Sequence, residues 1–252
     1  MRSEQQAADN FERIRRASAH LGLDRISCAA VGVEERRGFH SSIETPAARL
    51  DHAVCLGVAL SAPVLDTVET APTWTYYYHY RQVNFALDQA ALFIAGEIQR
   101  AGFEALPVPA SQILDWDRLR AHLSHREIAF RAGMGWRGRN NLLVTEEFGS
   151  QIRLATVLTD MPLPDGESGC GRDSCGECTA CVDVCPVGAI SDDPERFDLD
   201  RCAAQLRRFA GSEKINTMIC GICLKVCAGR RRSADVPASR LGTEQARRSQ
   251  RG

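Results

Sequence analysis

The 252-residue sequence has no apolar run approaching the ~20 residues of a membrane-spanning helix, so a transmembrane segment is not expected. A large net charge of either sign is also lacking, because 31 Lys and Arg residues nearly balance 32 Asp and Glu residues and leave a net charge of -1. A global basic field that would attract nucleic acid is therefore absent. The N-terminal residues 1–6 are polar, and no apolar signal segment follows them. We therefore expect a cytoplasmic protein without membrane contact.

Aromatic residues make up only 6% of the sequence, but five of them lie within residues 73–80: Trp74, Tyr76, Tyr77, Tyr78 and Tyr80. The segment precedes the clearest predicted helix and is expected to be a loop. Two interpretations stay open for it. The rings could form a wall over a planar cofactor or substrate, or they could pack into the hydrophobic core.

Apolar residues at helical and strand spacing alternate along the first 160 residues. Helices are predicted over 4–21, 83–101 and 117–132, and strands over 28–33, 53–60, 105–109 and 152–159. This order predicts an α+β fold, with an α/β-type sandwich domain over residues 1–162. A cysteine-rich module is expected over 163–228, and an Arg-rich tail over 229–252 has too few apolar residues to build a core.

The 11 cysteines are the most informative residues of the sequence, because nine of them fall between Cys170 and Cys227. An odd count without a secretory signal argues against a disulfide framework. Cys28 and Cys55 stand in apolar runs and are expected to be buried as small hydrophobic residues. Cys170, just upstream of the dense group, is expected to be a bystander.

The remaining eight cysteines have the spacing of a ferredoxin-like module with two [4Fe–4S] clusters. They form the pattern Cys175-x2-Cys178-x2-Cys181-x3-Cys185-Pro186, followed by Cys202, Cys220, Cys223 and Cys227. In such modules the fourth cysteine of the run binds the other cluster. We therefore predict a first set of Cys175, Cys178, Cys181 and Cys227, and a second set of Cys185, Cys202, Cys220 and Cys223. The alternative is a pair of four-cysteine zinc sites, which usually show separated Cys-x2-Cys pairs.

A segment before this module carries a second motif. It ends in Arg131-Ala132-Gly133-Met134-Gly135-Trp136-Arg137-Gly138-Arg139-Asn140 and is followed by a strand. Together, the two motifs resemble the epoxyqueuosine reductase family over about residues 120–228. The resemblance implies an oxidoreductase that reduces an epoxide-like or other electrophilic substrate, such as a small molecule or a modified nucleoside. It also implies cobalamin in the N-terminal domain, reduced by the clusters, and an external low-potential donor of the ferredoxin or flavodoxin type.

The resemblance further implies that the glycine-rich segment holds the corrinoid, with Gly133, Gly135, Trp136, Gly138, Arg139 and Asn140 as cofactor-binding residues. Arg126, Arg131, Arg137 and Arg139 would form a basic patch for a phosphate or substrate anion. Taken without the cysteines, the same segment is explained by a tight connection with a packed tryptophan.

The sequence departs from the family pattern at the proton donor. The family carries an Asp about thirteen residues before its Ala-Gly pair, where Leu119 stands here. Asp117 and His125 are the weak catalytic candidates, and His122 would share a helix face with His125. The family's C-terminal helical-repeat domain, which helps to hold tRNA, is also missing from the sequence. We therefore expect tRNA not to be the substrate.

Two other functions stay possible at this point. The first is a two-cluster electron-transfer protein that serves a partner, for example a corrinoid enzyme. The second is an RNA-binding zinc protein, in which the cysteines bind zinc and the Arg-rich tail contacts RNA.

Overall fold

The computed structural model describes residues 2–116, 119–166 and 175–229. The helices are α1 (Arg2–Ser18), α2 (Val33–Arg36), α3 (Ser41–Ala47), α4 (Ala62–Asp66), α5 (Trp74–Arg100), α6 (His125–Arg131), α7 (Ala180–Asp183), α8 (Leu199–Ser212) and α9 (Ile222–Val226). The strands are β1 (Arg25–Ala30), β2 (His52–Ala59), β3 (Ala105–Val108), β4 (Trp136–Arg137), β5 (Leu143–Val144) and β6 (Ile152–Thr159).

An antiparallel four-stranded sheet with the order β1-β2-β6-β3 forms the centre of the N-terminal part. The two middle strands pair along their full length, from His52 opposite Thr159 to Ala59 opposite Ile152. The inner residues of β2 are apolar and buried on both faces, and β6 adds buried apolar residues together with the buried Thr156. The mixed helix and sheet content confirms the predicted α+β class.

Helices cover both faces of this sheet. On one face, α1 and α5 pack through Ile14, Leu87 and Ile94, and α8 and α9 add Phe209 and Ile222 to the same core. On the other face, a second core takes its apolar side chains from α3 and α6. Because α8 and α9 belong to the cysteine-rich part, that part shares a hydrophobic core with the sheet domain.

Two predictions about helices are wrong. Residues 73–80 do not form a loop: the Thr73 side chain accepts a hydrogen bond from the Tyr76 N–H at 3.1 Å, and α5 begins at Trp74. The helix predicted over 117–132 is only α6, because Ser124 caps it and Asp115 and Arg120 pair as a β-bridge upstream.

The prediction for β1 is shifted, since the strand covers 25–30 rather than 28–33. Residues 117–118, 167–174 and 230–252 lie outside the described part of the chain, and with them Asp117, Cys170 and most of the Arg-rich tail. In the part that is described, no helix is long and apolar enough to cross a membrane. The domain boundaries at 162 and 228 stay predictions.

Helix α5 offers a matched test of the core. Leu87 is fully buried between α5 and the sheet, whereas Leu92 on the same helix is 61% exposed. We expect Leu87→Ala to lower the free energy of unfolding by about 2–5 kcal/mol, because it leaves a cavity. Leu92→Ala should change it by less than about 0.5 kcal/mol. Equilibrium denaturant unfolding measures both variants, and equal losses would contradict this packing.

Candidate functional site

The cysteine loop begins with a tight turn that gathers the first three cysteines of the run. The Cys178 N–H donates to the Cys175 carbonyl at 3.1 Å, and Gly176 takes a left-handed conformation with φ +51°. Glycine tolerates that conformation at no steric cost. Helix α7 then carries Cys181, which is buried, while Cys178 is exposed. The loop therefore presents one side to solvent and the other to the protein.

The first predicted set of thiols forms one electrostatic group. Burial raises the pKa of the Cys181 thiol to about 11, and the nearby Cys227, Cys175 and Cys178 raise it further. The pKa of Cys227 is also raised by burial and by the same neighbours, although hydrogen bonds from Ser150 oppose the rise. Cys227 thus joins the loop from the far end of the module.

The second predicted set also forms one group. Burial raises the pKa of Cys220 to about 11, and Cys202 and Cys185 add to the rise. Burial raises the pKa of Cys223 well above the usual range, and the neighbouring Cys220 and Cys202 add to the rise. Between Cys220 and Cys223, Gly221 has φ +87° and lies against the Tyr76 ring, which a Cβ atom would approach to 2.8 Å. Tyr76 therefore closes this set from the side of α5.

The charges of neighbouring thiols thus follow the two predicted sets, with one further interaction between Cys223 and Cys181 of the other set. Among the described residues, no three His, Cys, Asp or Glu side chains meet closely enough for a single metal ion. The thiols of each set lie farther apart than the ligands of one metal ion, but close enough for their charges to raise each other's pKa. Their role as cluster ligands stays a prediction.

The glycine-rich segment is a hairpin whose glycines are explained by backbone packing. Gly135 lies so close to the opposite strand that a Cβ atom would stand 2.1 Å from the Val144 carbonyl oxygen. A Cβ on Gly138 would stand 2.4 Å from the Val144 side chain. Gly133 has φ +67° just after the end of α6. These glycines therefore serve the turn and the β4–β5 pairing.

The polar side chains of this hairpin reach the cysteine-rich part. The Trp136 indole N–H donates to the Cys175 Sγ at 3.4 Å. The Arg139 guanidinium donates to three backbone carbonyls, those of Gly176 at 2.8 Å, Cys178 at 2.8 Å and Asp192 at 2.9 Å. Arg139 therefore fixes the conformation of the cysteine loop from outside.

A second connection runs to the last cysteine. Asn140 is buried and donates from Nδ2 to the Ser150 Oγ at 3.0 Å. The Ser150 N–H donates to the Cys227 carbonyl at 3.0 Å, and the buried Ser150 side chain lowers the pKa of the Cys227 thiol. The preceding Gly149 packs against the same carbonyl, which a Cβ atom would approach to 2.1 Å. The start of β6 thus lies directly on the end of the cysteine-rich part.

The remaining arginines of the predicted basic patch have partners within the protein. Arg126 donates to the Asn141 carbonyl, and Arg131 pairs with Glu35 at 3.2 Å. Arg137 donates to Asn141 Oδ1 at 2.8 Å and pairs with Glu195 at 3.4 Å. These contacts leave the anion-binding role of the patch a prediction.

His125 lies at the start of α6 with both ring nitrogens engaged. Its Nε2–H donates to the Pro109 carbonyl at 2.8 Å, which leaves Nδ1 to accept from the Thr156 hydroxyl at 2.8 Å. Burial lowers the pKa of His125 to about 4. With these contacts, His125 is neutral and connects the start of α6 to β6 and to Pro109, the residue after β3. His122 precedes the cap of α6, so the two histidines do not share a helix face.

A cleft of about 690 Å³ opens between Tyr80 of α5, residues 111–116, the end of α8 and residues 216–218, and none of the described cysteines lines it. Its lining includes Tyr80, Ser111, Trp116, Gly211, Asn216 and Thr217. The Tyr80 hydroxyl is hydrogen-bonded to Ser111 at 2.6 Å, and the Arg153 guanidinium lies 4.7 Å from the centre of its ring. A hollow of about 460 Å³ between Glu34, Phe39 and Arg131 has no cysteine in its lining.

The sequence indicated part of this cleft and missed the rest. The aromatic segment 73–80 supplies Tyr80 to the cleft and Tyr76 to the core beside it, so core packing is confirmed for Tyr76, and a wall over a planar ligand stays a prediction for Tyr80. Arg153, which lies against the Tyr80 ring, was missed, because a charged residue at one position of a strand carries no signal of what it faces. The predicted burial of Cys28 and Cys55 is confirmed, at 3% and 1% exposure.

Comparison with protein families shows a match to a 4Fe-4S double cluster binding domain over residues 174–229, the range that holds all eight cysteines. Curated epoxyqueuosine reductases from several bacteria match at 33–38% identity. The relative from Bacillus anthracis is 37% identical over 113 residues, which is 42% of this chain and 29% of the relative. The chain thus spans well under two thirds of the length of the relatives it matches.

Solved structures show the same fold. A reductive dehalogenase described in connection with B12-dependent dehalogenation matches with a TM-score of 0.71 and 19% identity, over 89% of this chain and 32% of that one. An epoxyqueuosine reductase bound to an epoxyqueuosine-modified tRNA-Tyr stem loop matches with a TM-score of 0.56 and 20% identity, over 87% of this chain and 64% of that one. A relative of this fold therefore does bind tRNA, and the expectation against tRNA loses its support.

Arg139 gives a direct test of how the cysteine loop is held. Replacing it by methionine keeps most of the side-chain volume but removes three charge-assisted hydrogen bonds, two to the cysteine loop and one to Asp192. We expect Arg139→Met to lose iron several-fold faster in the presence of a chelator. The control Arg100→Met removes an exposed arginine that pairs only with Glu97. Equal rates in both variants would show that the Arg139 contacts do not hold the loop.

His125 predicts a pH dependence of stability. The unfolded chain binds a proton on this residue near pH 6.5, whereas the folded chain does not until about pH 4. Protonation therefore favours unfolding throughout that window, and stability should fall with decreasing pH by at most about 1.4 kcal/mol per pH unit from this group. Unfolding of wild type and His125→Gln between pH 7 and 5 should show a shallower slope in the variant. The exposed His20→Gln should keep the wild-type slope.

Proposed function

Because the chain belongs to the epoxyqueuosine reductase family, we propose that it is an iron–sulfur oxidoreductase that uses a corrinoid to reduce an electrophilic substrate. The observation that carries this proposal is the position of the two thiol sets, one with Cys178 exposed at the surface and one linked to the cleft through the Tyr76 and Tyr80 rings of α5. Electrons would enter at the first set and leave from the second. The family match to a double-cluster domain over the same residues supports two [4Fe–4S] clusters.

The first set is the proposed entry point because Cys178 is exposed. A cluster there would come close enough to the surface to receive an electron from a separate protein. The second set lies among α5, α8 and α9, and the Tyr76 and Tyr80 rings of α5 connect its Gly221 to the cleft. We propose that the external donor is a low-potential protein of the ferredoxin or flavodoxin type.

The cleft, rather than the glycine-rich hairpin, is the proposed corrinoid site. Trp136 and Arg139 are already bonded to the cysteine loop, and the glycines of the hairpin lie against Val144. The cleft instead offers hydroxyl and amide groups from Tyr80, Ser111 and Asn216 together with apolar surface. Such a lining suits a large ligand with an amide-bearing periphery. A reduced corrinoid supplies a strong cobalt nucleophile when bound.

The substrate follows from the relatives. They are named for the reduction of epoxyqueuosine, and one of them binds a tRNA stem loop. We propose an epoxide-like group on a modified nucleoside, in tRNA or free, as the substrate class. Conversion of an epoxide to an alkene takes up two electrons and two protons and releases one water. The two clusters would deliver the electrons one at a time, and the cleft would exclude bulk water around the reacting group.

A two-cluster electron carrier is the second candidate, and the exposed Cys178 favours it. A carrier needs an exposed cluster edge but no organic cofactor of its own. The measurement that separates the two functions is the iron and corrinoid content after anaerobic purification from cells supplied with cobalamin. We expect about eight irons per chain and nearly one corrinoid. Full iron with no corrinoid, even after cobalamin is added to the pure protein, would leave the carrier. Zinc in place of iron would exclude both.

Gly211 tests the cleft as the binding site. A Cβ atom there would meet no other atom within 4 Å, so a larger side chain can extend into the cleft from α8 without a backbone clash. We expect Gly211→Trp to retain iron but to lose most of the bound corrinoid. Gly96→Trp, which adds the same side chain on α5 outside the cleft lining, should retain both. Corrinoid binding at the wild-type level in Gly211→Trp would exclude this cleft.

A further inference from the structure

We propose that Trp136, Asn140 and Ser150 form an outer shell of hydrogen-bond donors that raises the reduction potential of the first cluster above that of the second. The inference rests on the proposed function, since it requires both clusters to be present. It assigns to part of the glycine-rich segment a redox role in place of corrinoid binding.

The physical reason is the charge that a cluster gains on reduction. One added electron makes the cluster and its thiolate ligands more negative. A hydrogen-bond donor directed at a ligand sulfur stabilises that reduced form more than the oxidised form, which raises the potential. A side-chain donor held by the surrounding structure does so without reorganisation when the electron arrives.

Trp136 is placed for this role by the hairpin. Its indole N–H donates to the Cys175 sulfur at 3.4 Å, within the usual range for a sulfur acceptor. Indole nitrogen is a donor only, so the polarity of this contact is unambiguous. The pairing of Trp136 with Val144, and the close approach of Gly135 to the Val144 carbonyl, leave the ring little freedom to turn away.

The second donor acts on Cys227 at the opposite end of the same set. Ser150 is 1% exposed, and its N–H donates to the Cys227 carbonyl at 3.0 Å, which holds the Ser150 side chain next to Cys227, where it lowers the pKa of that thiol. The Asn140 amide donates to the Ser150 oxygen at 3.0 Å, so that hydroxyl is left to point its proton at the sulfur. Asn140 thereby acts through Ser150 as a positioning residue.

The second set lacks an equivalent shell among the described residues. In this set, the sulfur atoms meet backbone N–H groups. The Ala189 N–H donates to the Cys185 sulfur at 3.3 Å, and the Ile222 backbone lowers the pKa of Cys220. Burial is the largest influence on Cys223, and the Tyr76 ring lies against the adjacent Gly221. A buried, apolar surrounding disfavours added negative charge. The second cluster is therefore expected to have the lower potential of the two.

The test is a reductive titration of the intact, iron-loaded chain followed by electron paramagnetic resonance. Wild type should show two one-electron steps at different potentials. Trp136→Phe removes the first donor and keeps an aromatic ring. Ser150→Ala removes the second donor with little change in side-chain volume. In each variant, the equilibrium constant for reduction of the first cluster should fall about tenfold, which lowers the potential of the higher step by about 59 mV for one electron. The potential of the lower step should not change.

The control is Trp74→Phe, which changes an indole that is 61% exposed at the start of α5 and should move neither step. If both clusters are present and both steps stay in place in Trp136→Phe and Ser150→Ala, the inference is wrong and the proposed function stands. A shift of the lower step instead of the higher one would also overturn it. A wild-type chain that assembles no iron–sulfur clusters would overturn the inference and the proposed function together.

Discussion

Four thiolates gathered around one point repel each other, and this constraint shapes the structure around them. Burial and the neighbouring sulfurs raise the pKa of Cys181, Cys220 and Cys223, so the metal-free thiols are protonated and uncharged. Iron would offset the repulsion directly. The protein contributes what iron cannot, by directing N–H and O–H donors at the first set and by fixing the loop backbone through Arg139. The sheet domain and the cysteine-rich part consequently share a core and a dense hydrogen-bonded boundary.

The elements that periodicity could predict are those whose burial follows from their own sequence. Strands β2 and β6 are apolar at most of their positions, and the buried face of α5 from Val83 to Ile98 recurs at helical spacing. The first turns of α5 were missed because its tyrosines and Trp74 obscure that spacing, while the cap on Thr73 that starts the helix is a single hydroxyl. The helix over 117–132 was extended too far because Ser124 was not recognised as its cap.

The cysteine spacing and the glycine-rich segment differ in what a motif can predict. Cysteine spacing is local and chemical, so the eight-cysteine module could be predicted, and the 4Fe-4S double cluster match covers the same residues. The contacts of residues 133–140 with the cysteine loop could not be predicted, because Trp136 meets Cys175 and Arg139 meets Cys178 across 39 positions of the chain. The glycines suggested a ligand that approaches the backbone closely. In the structure it is the protein's own backbone, at Val144, that approaches.

The order of the cysteines along the chain carries a consequence for assembly. In the proposed ligation, Cys175 and Cys227 belong to the first set, and all four cysteines of the second set lie between them in the sequence. If the second set binds its cluster first, the free loop that the first set must still close becomes shorter, and shorter loops lose less entropy on closure. Maturation then has a preferred sequence, with the enclosed cluster first and the exposed one last. The first cluster, which would receive electrons from the donor, would then form only after the second cluster is in place.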